Sequence, residues 1–156
     1  MTTPAADDPA ARRAPAKTLG LAAICDIVVI CVFAAVGRSS HDEHLGVSGV
    51  WQTAWPFLVG AAIGWLITLA VARGRAPVAG AFTGWSPERL WPAGVVIWIS
   101  TVVIGMLVRS ASGGGVAAAF VVVASIATAV LLLGWRLLAA VVRSRRPNDV
   151  AADSAP

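Results

Sequence analysis

The sequence predicts an all-α, polytopic membrane protein with four transmembrane helices in two similar hairpins. Three observations carry this. The 156 residues are 58% hydrophobic and only 13% charged, far less polar surface than a soluble domain of this size needs. The apolar residues come in long blocks rather than at amphipathic spacing. The basic residues cluster at the ends of those blocks, where they orient a membrane protein.

Each block is long enough to cross a bilayer, which takes roughly 20 apolar residues in a helix. The first span covers residues 19–36 and contains "LAAICDIVVICVF", with Asp26 inside it. Its length and its acid argue for a retained span rather than a cleaved signal. In "LAAIC", Ile24 stands where a lipoprotein cleavage site needs a small residue. Cys25 and Cys31 are separated by about 9 Å along one helix, beyond disulfide reach, and are expected to be small buried apolar residues. The loop "RSSHDEHLG" follows. His41, Asp42, Glu43 and His44 lack a further ligand set, so a solvated loop is expected there and no metal site.

The second span covers 51–72. Pro56 is expected in its first turn, where it does no harm. Gly60 and Gly64 form G-x-x-x-G, which lets two helix backbones approach closely. The partner could be a helix of this chain or of a second copy. The inner loop "RGRAPVAGAFTGWSPERLWP" is rich in Gly and Pro. In it Ser86, Pro87 and Glu88 have the pattern of a helix start. The third span covers 91–108 and the fourth 116–142, the latter long enough to tilt. Trp51 and Trp55 are expected at the outer interface, Trp85 and Trp91 at the inner one. Residues 18–143 thus form the transmembrane domain. The Ala/Pro-rich polar ends, 1–17 and 144–156, are expected to be disordered cytoplasmic tails.

The twelve basic residues set the direction. Arg12, Arg13, Lys17, Arg73, Arg75, Arg89, Arg143, Arg145 and Arg146 lie on one side, and only Arg38 and Arg109 on the other. Both termini are therefore expected in the cytoplasm of a bacterial plasma-membrane protein. Net charge is +4, but no basic stripe with interleaved aromatics lies outside the spans, so nucleic acid is not an expected partner.

The halves resemble one another. "IGWLITLAVARGR" (63–75) and "LGWRLLAAVVRSR" (133–145) align at an offset of 70, and Arg38 aligns with Arg109 at 71. At these offsets Asp26 corresponds to Ile97, and Arg136 to Leu66. One half thus carries an acid and a base where the other carries two apolar residues. A buried acid in a membrane usually faces the protein interior and pairs. Asp26 is roughly 13 Å in from Lys17, and Arg136 roughly 10 Å in from Arg143, at 1.5 Å per residue. The sequence therefore predicts a buried Asp26–Arg136 pair, with Trp65 and Trp135 near the same level as indole donors. Arg38, Arg109 and His41 could form an outer mouth for anions.

No enzyme signature is present: no triad arrangement, no phosphate loop, no cofactor motif. The expected function is a non-enzymatic helical bundle in the lipid bilayer that assists or assembles with another membrane protein, or with itself. The alternative is an oligomeric permeation protein for a small solute or ion, with Asp26 and Arg136 as its polar site.

Asp26, "GRSSH" (37–41), "PFLVGAAIGW" (56–65), Arg109 and "LGWR" (133–136) together resemble a family of small bacterial four-helix membrane proteins, the domain-of-unknown-function family DUF3054. The resemblance spans nearly the whole chain apart from its ends. It implies the same architecture and brings no activity, substrate or catalytic residue.

Overall fold

The computed structural model describes residues 16–39, 46–74 and 86–145. Helix α1 is Ala16–Ser39, α2 Val47–Ala72, α3 Val95–Ala111 and α4 Ala118–Ser144. All four, α3 together with the turn before it, are long and apolar enough to cross a membrane. The protein is an all-α, polytopic membrane protein.

The helix bounds depart from the sequence reading in informative places. Helix α1 takes in Ala16 and Lys17, which were expected in the N-terminal tail. Helix α2 starts early: the Gly46 carbonyl accepts the Gly49 and Val50 amides at 3.0 and 3.1 Å. Pro56 is therefore not in the first turn but well inside the helix, and buried. Its ring removes the amide that the Gln52 carbonyl would use. The helix runs on because neighbouring helices hold that stretch in place, as membrane bundles allow.

The third span differs most. Ser86, Pro87 and Glu88 do not start a helix. They form a turn closed by the Arg89 amide on the Ser86 carbonyl at 2.8 Å, and Ser86 Oγ donates to Glu88 Oε1 at 2.6 Å. Trp91 is extended (φ −121, ψ 137), the conformation that a following proline favours; Trp55, also before a proline, stays helical because α2 is already under way there. The Gly94 amide reaches back five residues to the Arg89 carbonyl at 3.0 Å. Regular helix begins only at Val95. Pro92, Ala93 and Gly94 are buried, so the part of this turn that faces the bundle is covered by protein, while Trp91 is exposed.

Helices α2 and α3 make the closest contact. A Cβ on Gly60 would lie 2.7 Å from the Ser100 carbonyl oxygen, and one on Gly64 2.8 Å from Ile97 Cα. The G-x-x-x-G face thus meets α3 of the same chain. Gly105 on α3 in turn makes room for the ring of Phe57. Phe57 packs edge-on to Phe33 at 5.2 Å and tilted against Phe120 at 6.4 Å, drawing α1, α2 and α4 into one core. Buried hydroxyls stay satisfied locally: Thr101 donates to the Ile97 carbonyl at 2.7 Å and Thr128 to that of Ala124 at 2.6 Å, four residues back in each helix. The Trp98 indole donates to the Ser125 carbonyl at 3.1 Å, tying α3 to α4.

The outward faces of α1 and α4 are apolar. Leu21, Ile24 and Val28 on one, and Ile126, Val130 and Leu138 on the other, are exposed. In water such faces would demand a partner; in a bilayer they are the lipid boundary. Cys25 and Cys31 are half-buried free thiols rather than buried ones. Trp51 and Trp91 are exposed, whereas Trp85 lies outside the described residues.

Candidate functional site

The buried stripe of α1 runs Ala22, Asp26, Ile30, Phe33 and Ala34. That of α4 runs Ala124, Thr128, Leu132 and Arg136. Spacings of three and four residues keep each set on one helix face. Asp26 and Arg136 are therefore rungs of two core-facing ladders, and the ladders meet. The Arg136 side chain is 0% exposed and that of Asp26 2%.

The structure brings them together as a fork on a fork. Arg136 Nη1 donates to Asp26 Oδ1 and Nη2 to Oδ2, both at 2.7 Å. This two-bond geometry is what the planar guanidinium offers a carboxylate. The Trp65 indole donates to Oδ2 at 2.9 Å and the Trp135 indole to Oδ1 at 2.9 Å. Each carboxylate oxygen thus accepts two N–H bonds. Both tryptophans are half-buried, with the polar edge turned inward and the rest of the ring closing the site.

The arginine is held as fully as the acid. Nη1 also donates to the Leu132 carbonyl at 2.8 Å, and Nε to the Pro87 carbonyl at 3.1 Å. The guanidinium lies 4.5 Å over the Trp135 ring, a favourable cation–π placement. A Cβ on Gly94 would lie 2.8 Å from Arg136 Cδ, so only glycine leaves space for the arginine stem. Every spanning segment contributes: α1 the acid, α2 one indole, α4 the base and the other indole, and the turn before α3 a carbonyl and a gap. The Pro87 carbonyl and Gly94 carry no polar side chain, and sequence reasoning passed them over. The Trp-Pro-Ala-Gly run, where proline disfavours helix at Trp91, was the available signal.

Glu88 lies in the same turn and is buried. Its Oε1 accepts from Ser86, and its Oε2 has no hydrogen-bond partner among the described residues.

At the opposite end of the bundle, Arg38 and Arg109 line one open cleft of about 930 Å³. Arg109 Nε donates to the Gly115 carbonyl at 3.1 Å, and its guanidinium lies 4.6 Å over the Phe120 ring. The Arg38 guanidinium lies on Gly49, where a Cβ would come within 2.6 Å of it. His41, the third residue expected at this mouth, lies outside the described residues, as do Asp42, Glu43 and His44. Among the described residues no group of three or more His, Cys, Asp or Glu side chains could hold a metal ion.

Chemically, the Asp26 site is a saturated clamp: its carboxylate has no oxygen left over for a substrate, and its arginine is walled in. Neither a curated protein nor a solved structure matches the chain. The family model described as "Protein of unknown function (DUF3054)" matches residues 23–139, three quarters of the sequence, and the chain belongs to that family.

Proposed function

We propose that this is a non-enzymatic bundle of the bacterial plasma membrane, which assists or assembles with other membrane proteins or with itself. In this reading the Asp26–Arg136 clamp is an internal fastener. The observation that carries it is the saturation of Asp26: four N–H donors on two oxygens, at 2% exposure. A proton relay or permeation site needs a group that exchanges partners with water or solute. A carboxylate bonded this fully, behind two indoles, suits a fixed role.

Both termini are placed in the cytoplasm, on the nine-to-two division of basic residues between the two sides. A reporter enzyme active only outside the cytoplasm should be silent when fused after residue 156 and active when inserted between residues 40 and 45. The reverse pattern would overturn the orientation.

The two hairpins are read as an internal repeat. Trp65 and Trp135, related by the offset of 70, donate to the same carboxylate, and Arg38 and Arg109 line the same cleft. The halves differ where their environments differ. Arg136 is buried whereas its counterpart Leu66 is 67% exposed. Ile97, the counterpart of Asp26, is fully buried against Gly64.

Dryness separates this reading from permeation. Ala22 lies one turn from Asp26 on the same face and is 3% exposed. Ala22→Cys, in a chain with Cys25 and Cys31 replaced by Ala, should resist membrane-impermeant thiol reagents in intact and in inverted vesicles. A cysteine at the exposed rim, Ser112→Cys, should label from one side. Rapid labelling at position 22 would establish a water path to the clamp and favour the permeation reading.

A further inference from the structure

The cleft at the far end of the bundle takes no part in the clamp. It lies where the C-terminal ends of α1 and α3 meet the N-terminal ends of α2 and α4. Arg38 and Arg109 line it, and among the described residues no acid does. Three independent features of its walls describe one kind of ligand.

The first is a fixed guanidinium. The Nε bond of Arg109 to the Gly115 carbonyl and its seat over Phe120 set the plane of the group. Among the described residues its two terminal amino groups meet no acceptor. Such a pre-set fork suits a planar or tetrahedral oxyanion, and Arg is better at this than the flexible Lys. Arg38, which has a partner of its own, lines the cleft from another helix.

The second is the start of α4, a helix of 27 residues. Ala117 occupies its N-cap and offers no capping side chain, and the first turn holds no acid. The first regular bond is the Val121 amide to the Ala117 carbonyl at 3.1 Å. The amides of 118–120 therefore have no acceptor within the helix. Ala117, Ala119 and Phe120 all line the cleft, so these donors and the positive end of the dipole add to the two arginines.

The third is a gradient of polarity. Phe33 lies five residues deeper than Arg38, and Val123 six deeper than Ala117, or about 8–9 Å along the helices. Both line the cleft. The charged rim therefore stands over a largely apolar floor, in which Gln52 and Thr53 are the polar members. A free ion uses the rim alone, whereas an amphiphile uses rim and floor together.

We propose that this cleft binds an oxyanion of the phosphate type between Arg38 and Arg109, over the start of α4, and that the apolar floor receives the tail of an anionic lipid that carries it. The test uses the full chain purified in a non-ionic maltoside detergent. Short-chain phosphatidylglycerol, short-chain phosphatidylcholine and inorganic phosphate are titrated separately. Binding is read by native mass spectrometry and by tryptophan fluorescence, since Trp55 lines the cleft.

One phosphatidylglycerol per chain is expected, bound roughly tenfold or more tightly than phosphatidylcholine, and weakened by a similar factor in Arg38→Gln and in Arg109→Gln. Ala119→Glu guards against loss of fold. An acid in the first turn favours the helix, yet it places a negative charge where the oxyanion would sit, so binding should fall while helicity and elution stay unchanged. Inorganic phosphate bound with the same dependence on the three substitutions would support the oxyanion site and identify the free ion as its ligand. Equal binding of both lipids, or affinities that ignore all three substitutions, would overturn the proposal.

Discussion

Arg136→Gln should destabilise the bundle by about 3–5 kcal/mol, the range seen when one partner of a buried ion pair is removed. Asp26→Asn should cost a similar amount. The double variant should lose clearly less than the sum of the two. The reason lies in what each single change leaves behind. Without Arg136, the Asp26 carboxylate keeps only its two indole bonds and no counter-charge. Without the carboxylate charge, the guanidinium stays fully buried with carbonyls alone. Hydrogen bonds between neutral groups in membrane bundles average only about 0.6 kcal/mol, because the unfolded helices also find partners in lipid. No such partner exists for an isolated charge, so the ion pair belongs to the larger class. Arg136→Lys should fall between, since it keeps the charge but loses the fork. Equilibrium unfolding in mixed micelles measures all four variants. A double variant whose loss equals the sum of the singles would show that the two side chains are not coupled.

How much of this was legible beforehand depends on what fixes each feature. The four spans follow from length and apolar content, which a bilayer reads directly. The level at which Asp26 and Arg136 meet follows from rise per residue counted from the basic residues at the membrane edge, and the tryptophans fall at that level by the same count. The register of Arg136 is also in the sequence, as the next step after Ala124, Thr128 and Leu132. The turn before α3 was not legible in this way. Ser86-Pro87-Glu88 has the local chemistry of a helix start, but Pro92, five residues after Pro87, favours the extended Trp91 seen here, and regular helix starts at Val95. The Pro87 carbonyl reaches Arg136 only because of that detour. Pro56 fails for the converse reason. Local rules place it at a helix end, and packing from neighbouring helices carries α2 beyond it. The cleft is a property of four helix ends brought side by side. Counting showed that Arg38 and Arg109 end corresponding helices, but not that the uncapped start of α4 lines the same cleft.

Gly60→Ala should destabilise the protein by about 1–3 kcal/mol, the usual result of adding a methyl group to a closed interface. Helix propensity acts the other way, because alanine is better than glycine within a helix by about 1 kcal/mol. The sign is decided by what the new methyl meets. At Gly60 it would lie 2.7 Å from the Ser100 carbonyl oxygen, 2.8 Å from that of Thr101 and 2.9 Å from Thr101 Cα. All three are backbone atoms, so no rotamer change relieves the clash, and α2 and α3 must separate. That separation also loosens Phe57 from its seat on Gly105. Gly64→Ala meets one atom under 3 Å, Ile97 Cα at 2.8 Å, with Ser100 Cβ at 3.1 Å and the Ile97 carbonyl oxygen at 3.3 Å, so its cost should be smaller. Gly134 supplies the control. It precedes Trp135 as Gly64 precedes Trp65, yet a Cβ there meets nothing within 4 Å. Gly134→Ala should therefore stabilise by about 0.5–1 kcal/mol through propensity alone. Opposite signs at Gly64 and Gly134, measured by the same unfolding titration, would place the close helix contact on α2 and not on α4. Equal effects at the two positions would mean that the glycines act through intrinsic helix propensity and that the α2–α3 approach is wider than 2.7 Å contacts require.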